Sequence, residues 1–237
     1  MKVEKLSPDY ANKISTLYNT EYEQLYLLGT VYQSPKLANY LKFICEENLE
    51  EFFGIVQNEE LMAVVQYREA DRYLHITHIV VSSSYQGIGL GKLLLSWVIK
   101  QAELNGLNLS LDVDSCNVKA FNWYLATGFE VCGESRFSVF KLDSKNPSLV
   151  KFHDNQKYID FGISNAHIED MADLEFFVIE PSTFLLKNPM LVEEILLDKL
   201  HNTINGFLVV DSNSLSKESM STSIYDKLVF RMLKNII

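Results

Sequence analysis

Tyr85-Gln86-Gly87-Ile88-Gly89-Leu90-Gly91-Lys92 lies between an apolar strand pattern, Leu74 to Val81, and an apolar helix pattern, Leu93 to Ile99. Three glycines in five residues give the backbone conformations closed to other residues and let it approach a ligand closely. A helix that starts here leaves its first N–H groups unpaired and points the positive end of its dipole outward. Such a helix start receives a phosphate or pyrophosphate. Two common phosphate loops do not fit. A P-loop needs Ser or Thr after Gly-Lys, and Gly91-Lys92 is followed by Leu93. A dinucleotide fingerprint needs Gly-x-Gly-x-x-Gly at the start of a βαβ unit, and the third glycine here is misplaced, after several other elements.

A third pattern, Gln/Arg-x-x-Gly-x-Gly/Ala, is met by Gln86, Gly89 and Gly91. Downstream, Leu107 to Val113 alternates apolar and polar residues, as a strand with one buried face does. Next comes Asn117-Val118-Lys119-Ala120-Phe121-Asn122-Trp123-Tyr124-Leu125-Ala126-Thr127-Gly128-Phe129, with Asn117 at a helix cap position and Gly128 at its C-terminal end. This segment has the form Asn-x-x-Ala-x-x-x-Tyr-x-x-x-Gly-Phe. The two segments in this order resemble the signatures of the GNAT superfamily of N-acetyltransferases, and the resemblance covers about residues 1–142.

That resemblance implies a mixed α/β (α+β) GNAT fold, in which helices flank a central, mostly antiparallel mixed sheet. It implies acetyl-CoA as acyl donor and direct attack by an amine, without an acyl-enzyme. The pyrophosphate would rest on the backbone of Gln86, Gly87, Ile88, Gly89, Leu90, Gly91 and Lys92, and the pantetheine arm on the strand end Val80-Val81. Asn117 sits where the family contacts the pantetheine arm or the nucleotide. Tyr124 matches the tyrosine that protonates the departing thiolate, and His75 falls where several relatives carry a glutamate base. Strict alternation would put His75, Thr77, Ile79 and Val81 on one face of the strand and Ile76, His78 and Val80 on the other, with His78 structural.

A chain of 237 residues, 47% of them hydrophobic, forms one large domain or two small ones. The net charge of −10 argues against nucleic-acid binding and favours a cationic acceptor such as the amine of a small molecule or peptide. No apolar run has the length of a membrane span, and the N-terminus lacks the apolar stretch of a signal peptide. Cys45, Cys116 and Cys132 have no metal-ligand spacing and read as free thiols in a reducing cytoplasm, so no metal is expected.

Before the glycine loop, Ser7-Pro8-Asp9 and Ser34-Pro35 announce two helices, and three strands follow over 51–56, 61–67 and 73–81. After the Tyr124 helix two strands are expected up to residue 142, then a polar linker from Asp143 to Lys157. The expected domains are residues 1–145 and a smaller α/β subdomain, 158–237. The second has strand candidates at Phe176 to Ile179, Phe207 to Val210 and Leu228 to Leu233, and a helix starting at Asn188-Pro189. Asn205-Gly206 before Val210-Asp211-Ser212 echoes Asn105-Gly106 before Val113-Asp114-Ser115. This segment is either a degenerate GNAT-like repeat or an unrelated subdomain. Thr183 to Lys187 stands where the first copy has its glycines and offers no phosphate cradle. The apolar strands of the second region are too few to stand alone, so they cover an edge of the first sheet or extend it across a homodimer. Two functions follow from the residues: an N-acyltransferase, or a non-catalytic CoA-binding or sensing protein. Tyr124 favours the enzyme, because a sensor has no need for a thiolate acid.

Overall fold

Apolar periodicity and turn chemistry build most of the first half. In the computed structural model, residues 1–144, 150–153, 156–168, 171–180, 183–186, 200, 205–211, 223 and 225–236 are described. Glu4–Lys5 (β1) precedes a 3-10 turn at Pro8–Tyr10 and the helix Ala11–Glu21 (α1), whose buried side is Ala11, Ile14, Leu17 and Tyr18. Ser7 does not cap this helix; its hydroxyl donates to Asp9. Gln24–Leu27 (α2) and Leu37–Glu46 (α3) follow.

Glu51–Gln57 (β2), Glu60–Ala70 (β3) and Tyr73–Val81 (β4) form the expected antiparallel meander. Asn58 and Glu59, at φ of 50° and 66°, make its first tight turn, with the positive φ at both positions that suits a two-residue hairpin. Leu90–Asn105 (α4) ends at Gly106 in the left-handed conformation and leads into Asn108–Asp114 (β5). Val118–Ala126 (α5) follows. The segment after α5 is one strand of 14 residues, Glu130–Asp143 (β6), rather than two. Its only glycine, Gly133, has no left-handed φ, so nothing there turns the chain.

The remaining described elements are Val150–His153 (β7), Gln156–Ile159 (α6), Ile163–Ile168 (β8), Met171–Ile179 (β9), Thr183–Leu186 (β10), Asn205–Asp211 (β11) and Tyr225–Lys234 (β12). The stretch expected as a linker thus contains β7 and the start of α6, and Thr183 to Leu186 is a strand rather than a loop. The helix expected from Asn188-Pro189 lies outside the described residues.

The chain divides into two compact units that are not consecutive in sequence. The first comprises Met1–Glu23, Ala38–Glu134 and Val229–Ile237; the second comprises Gln24–Leu37 and Ser135–Leu228. In the first, the strand order is β1-β2-β3-β4-β5-β12, with β4 and β5 parallel and every other pairing antiparallel. β12, which the sequence groups with the second half, pairs with β5 from Val229↔Asp114 to Lys234↔Leu109, and Arg231 makes a two-pronged ion pair with Asp112. The core of this unit lies between the sheet and α4 and α5, around Val65, Leu74, Ile76, Leu94, Val98, Leu111 and Phe129.

In the second unit the order is β7-β8-β9-β10-β11-β6, with β10 and β11 parallel and the other pairings antiparallel. The order and sense of these pairings repeat those of the first unit strand for strand. Its core gathers Phe140, Leu142, Ile168, Phe176, Phe184, Leu208 and Val210. The segment 24–37 is fastened there: Gln33 donates to the carbonyls of Ile179 and Glu180, Ser34 to that of Phe161, and Lys36 to that of Ile159.

Candidate active site

β4 and β5 are parallel neighbours only from Tyr73↔Asn108 to Ile76↔Leu111. β4 continues to Val81 without β5 beside it, so the two strands fork. Which backbone groups face the fork follows from the register on the other side. The Ser82 N–H donates to the Met62 carbonyl, making Ser82 and Met62 a hydrogen-bonded pair. Such pairs alternate along an antiparallel ladder. Val80 opposite Val64 is therefore bonded to β3, whereas Ile79 and Val81, opposite Val65 and Ala63, turn their N–H groups toward the fork. Of the two residues expected to hold pantetheine, Val81 offers its amide and Val80 spends it on the sheet. Val80 is also buried.

The loop begins where the fork opens. Gln86 is braced at both ends of its amide: Nε2 donates to the Val81 carbonyl at 3.2 Å, and Oε1 accepts from Lys119 Nζ at 2.9 Å. Gly87 and Gly89 have φ of 82° and 91°, conformations that L side chains rarely adopt. Gly89 is the N-cap residue of α4 and has no side chain to cap with. The first bond into the helix runs from Leu93 N–H to the Gly89 carbonyl, which leaves the amides of Leu90, Gly91 and Lys92 unpaired within it. Gln86 to Gly89 and Lys92 are exposed, and Leu90 is buried. Gly91 is needed for neither turn nor packing: a Cβ there would lie 3.7 Å from Val81 Cγ2 and 3.9 Å from the Trp123 ring, ordinary contact distances. It would instead occupy space between the end of β4 and α5. A cradle that a Cβ would fill, lined by outward amides, fits a pyrophosphate and its pantetheine arm.

Tyr124 projects from α5 and is nearly enclosed, with Trp123 and Phe129 ring centroids at 5.0 and 5.5 Å. Burial raises its phenol well above the ordinary tyrosine range, so it stays protonated and keeps a hydrogen to donate. Tyr22, at the end of α1, is raised by burial and then by the charge Tyr124 would carry, which marks the two phenols as neighbours. Asn117 caps α5, its Oδ1 accepting from Ala120 N–H at 3.2 Å.

The histidines depart from the expected alternation. Gln66 pairs with His78 and Tyr67 with Ile76, so Thr77 is an extra residue, a β-bulge. Past the bulge the faces exchange. His75 and His78 share the face of Gln66 and Arg68, while Ile76, Ile79 and Val81 share the opposite, α4-covered face. His78 lies against the Tyr18 ring, centroids 4.8 Å apart, and its Nδ1 is 2.9 Å from the Tyr22 hydroxyl. Burial, and then the nearby His75, push His78 down to about 3, so it is neutral near pH 7. His75 Nδ1 is 3.0 Å from Ser110 Oγ, and burial holds this imidazole below its usual range against the pull of Asp112. The sequence gives no signal for the Tyr22–His78 pair, because a bulge of one residue leaves no turn residues behind.

Residues 12–129 match the family model described as Acetyltransferase (GNAT) family. The chain is a GNAT-family protein. A crystal structure of a candidate acetyltransferase from Thermoplasma acidophilum, 14% identical, aligns over 98% of this chain and 99% of its own at a TM-score of 0.56, so the likeness in fold runs the length of both units. The paia N-acetyltransferase of the same organism, solved with coenzyme A, is 21% identical over 56% of this chain and 92% of its own, at a TM-score of 0.45. The ribosomal-protein-S18-alanine N-acetyltransferase of Escherichia coli is 18% identical over 62% and 83%, at 0.44.

The GNAT match ends at Phe129, so the fork, the loop, both histidines and Tyr124 all fall within it. Among the described residues, no three His, Cys, Asp or Glu gather into a metal-binding group, and no helix is long and apolar enough to cross a membrane. Beside α1 runs an open groove of about 460 Å³, lined by Thr16, Thr20, Glu21, Glu59, Glu60 and Ser82. Two of its carboxylates are engaged, Glu21 by the Ser83 amide and Glu60 by the Tyr85 hydroxyl.

Proposed function

We propose that the chain is an acyl-CoA-dependent N-acyltransferase that moves an acetyl group from acetyl-CoA to a primary amine of a small molecule or peptide. The observation that carries this reading is the fork itself. Outward amides at Ile79 and Val81 run directly into a glycine-capped helix start, the chemistry a pantetheine arm followed by a pyrophosphate requires. Membership of the GNAT family supports acyl transfer generally. When bound, the cofactor supplies an activated thioester. The residues of this chain do the rest.

The Val81 amide, aimed into the fork, polarises the thioester carbonyl as an oxyanion donor does. The amine lone pair forms the C–N bond and the C–S bond breaks, without an acyl-enzyme. The amine's proton leaves to His75, directly or through water, and the departing sulfur takes a proton from Tyr124, which recovers one from solvent. His75 suits the base role because burial keeps it neutral, and its Nδ1 bond to Ser110 fixes the ring.

The second unit is, on this proposal, a degenerate GNAT-like copy that keeps the strand order and lacks the cofactor loop. The protein works in the cytoplasm with one CoA per chain, its acidic surface suiting a cationic acceptor. Thiol release from acetyl-CoA, measured across a panel of amines and peptides, tests the reading. Turnover on at least one amine is expected. CoA binding without turnover on any acceptor would instead identify a non-catalytic CoA-binding protein.

A further inference from the structure

Glu50, which no part of the proposed chemistry uses, is a buried carboxylate with three donors. Its Oε2 accepts from Gln66 Nε2 and from Thr77 Oγ1, both at 2.7 Å, and its Oε1 from Arg68 Nη1 at 3.1 Å. The residue is only 8% exposed, and both of its oxygens already accept from neighbouring side chains. Its position relative to the bulge is what makes it informative. Gln66 and Arg68 lie on β3 on either side of the register shift, and Thr77 is the extra residue of β4. One carboxylate therefore fastens both strands across the irregularity. Gln66 passes the constraint on, its Oε1 accepting from the Tyr18 hydroxyl of α1 at 2.8 Å.

The bulge decides which amides reach the fork. Without it, β4 would slip by one residue against β3 beyond Ile76. Val81 would then sit opposite Met62, in a hydrogen-bonded position, with its N–H turned into the sheet. Val80 would present its N–H to the fork instead, and the side chains of Ile79 and Val81 would leave the core. We infer that Glu50 is a positioning residue for the cofactor strand, holding Thr77 in the bulge and so setting the register that aims the Ile79 and Val81 amides into the fork. The inference rests on the reading that this fork takes acyl-CoA.

Full-length Thr77→Val, Thr77→Ser and Glu50→Gln, titrated with CoA and followed by residue-resolved amide exchange with and without it, test this. In the unaltered protein CoA should protect the Val81 amide, while Val80 is protected throughout. Thr77→Val keeps the shape and loses the donor, so CoA affinity should fall about tenfold or more, as for a lost hydrogen bond to a charged group. The CoA-dependent protection should move from Val81 to Val80. Thr77→Ser should restore both. Glu50→Gln should behave like Thr77→Val; if it fails to fold, the Thr77 pair alone decides. Wild-type affinity with protection still at Val81 in Thr77→Val overturns the role given to Glu50 and leaves the acyl-CoA reading intact. No CoA-dependent protection anywhere in β4 of the unaltered protein overturns both.

Discussion

The pair β4–β5 and the pair β10–β11 occupy the same place in their sheets, each parallel and each next to an antiparallel neighbour, and the sequences that follow β4 and β10 differ. β4 outruns its partner from Thr77 to Val81 and opens a fork. β10 is described over Thr183–Leu186 and is paired with β11 from Thr183 to Leu185. The segment after β4 carries Gly87, Gly89 and Gly91, whereas no glycine occurs between Thr183 and Ile204. Thr183 and Phe184 are buried among their neighbours. On the proposed function, the same strand order carries a cofactor site where the strands splay and the following glycines let the backbone approach a phosphate.

The most severe way to break this contrast is chemical. Tyr124→Phe should lower turnover by about 10²–10⁴-fold, the usual contribution of a general acid, with CoA affinity unchanged. Steady-state kinetics beside a CoA titration would check it, and a loss below about threefold would make Tyr124 a packing residue.

Gly91→Glu attacks the cradle without attacking the fold, because its Cβ has room and its φ is not left-handed. CoA affinity should weaken by at least ~2 kcal/mol, since the new carboxylate would lie at the positive end of α4, beside the phosphates. Calorimetric titration measures this directly; unchanged affinity would remove the site from the loop.

The polar face of β4 has its own signature in pH. His78 is depressed to about 3 in the folded state, so the unfolded chain takes up its proton first, near 6.5. The stability His78 contributes is full above about pH 6.5 and is lost as pH falls toward 3. A drop of a few degrees in melting temperature between pH 7 and pH 5 is expected, and His78→Phe should lessen it. An identical drop in both proteins would show that His78 is not held neutral by folding.

The smallest effect separates structural from functional glycine. Gly106 is also left-handed, with open space around it, but it only ends α4. Gly106→Ala should cost about 1 kcal/mol of stability and leave CoA affinity untouched. Thermal melts and the same titration distinguish this from the effect at Gly91.

Local chemistry was readable in the sequence, and long-range pairing was not. The three-strand meander, the glycine-capped α4 and the Asn117 cap are encoded within a few residues of where they act, by periodicity and turn residues. The bulge at Thr77 is a single extra residue inside a strand with no Gly, Pro or other turn residue to mark it, so alternation assigned His75 and His78 to opposite faces when they share one. The partner of β5 is Val229 to Lys234, more than a hundred residues away, and the Arg231–Asp112 ion pair that accompanies it has no local trace. The fastening of 24–37 in the second unit, through Gln33, Ser34 and Lys36, is equally remote from its own sequence.

The difference between the two parallel pairs is tested most directly by the stoichiometry of CoA binding to the intact chain, with Gly91→Glu titrated beside it. One CoA per chain, weakened in Gly91→Glu, is the expected result. Two per chain, or one whose affinity ignores Gly91→Glu, would mean that the β4–β5 fork is not what sets the first unit apart from the second.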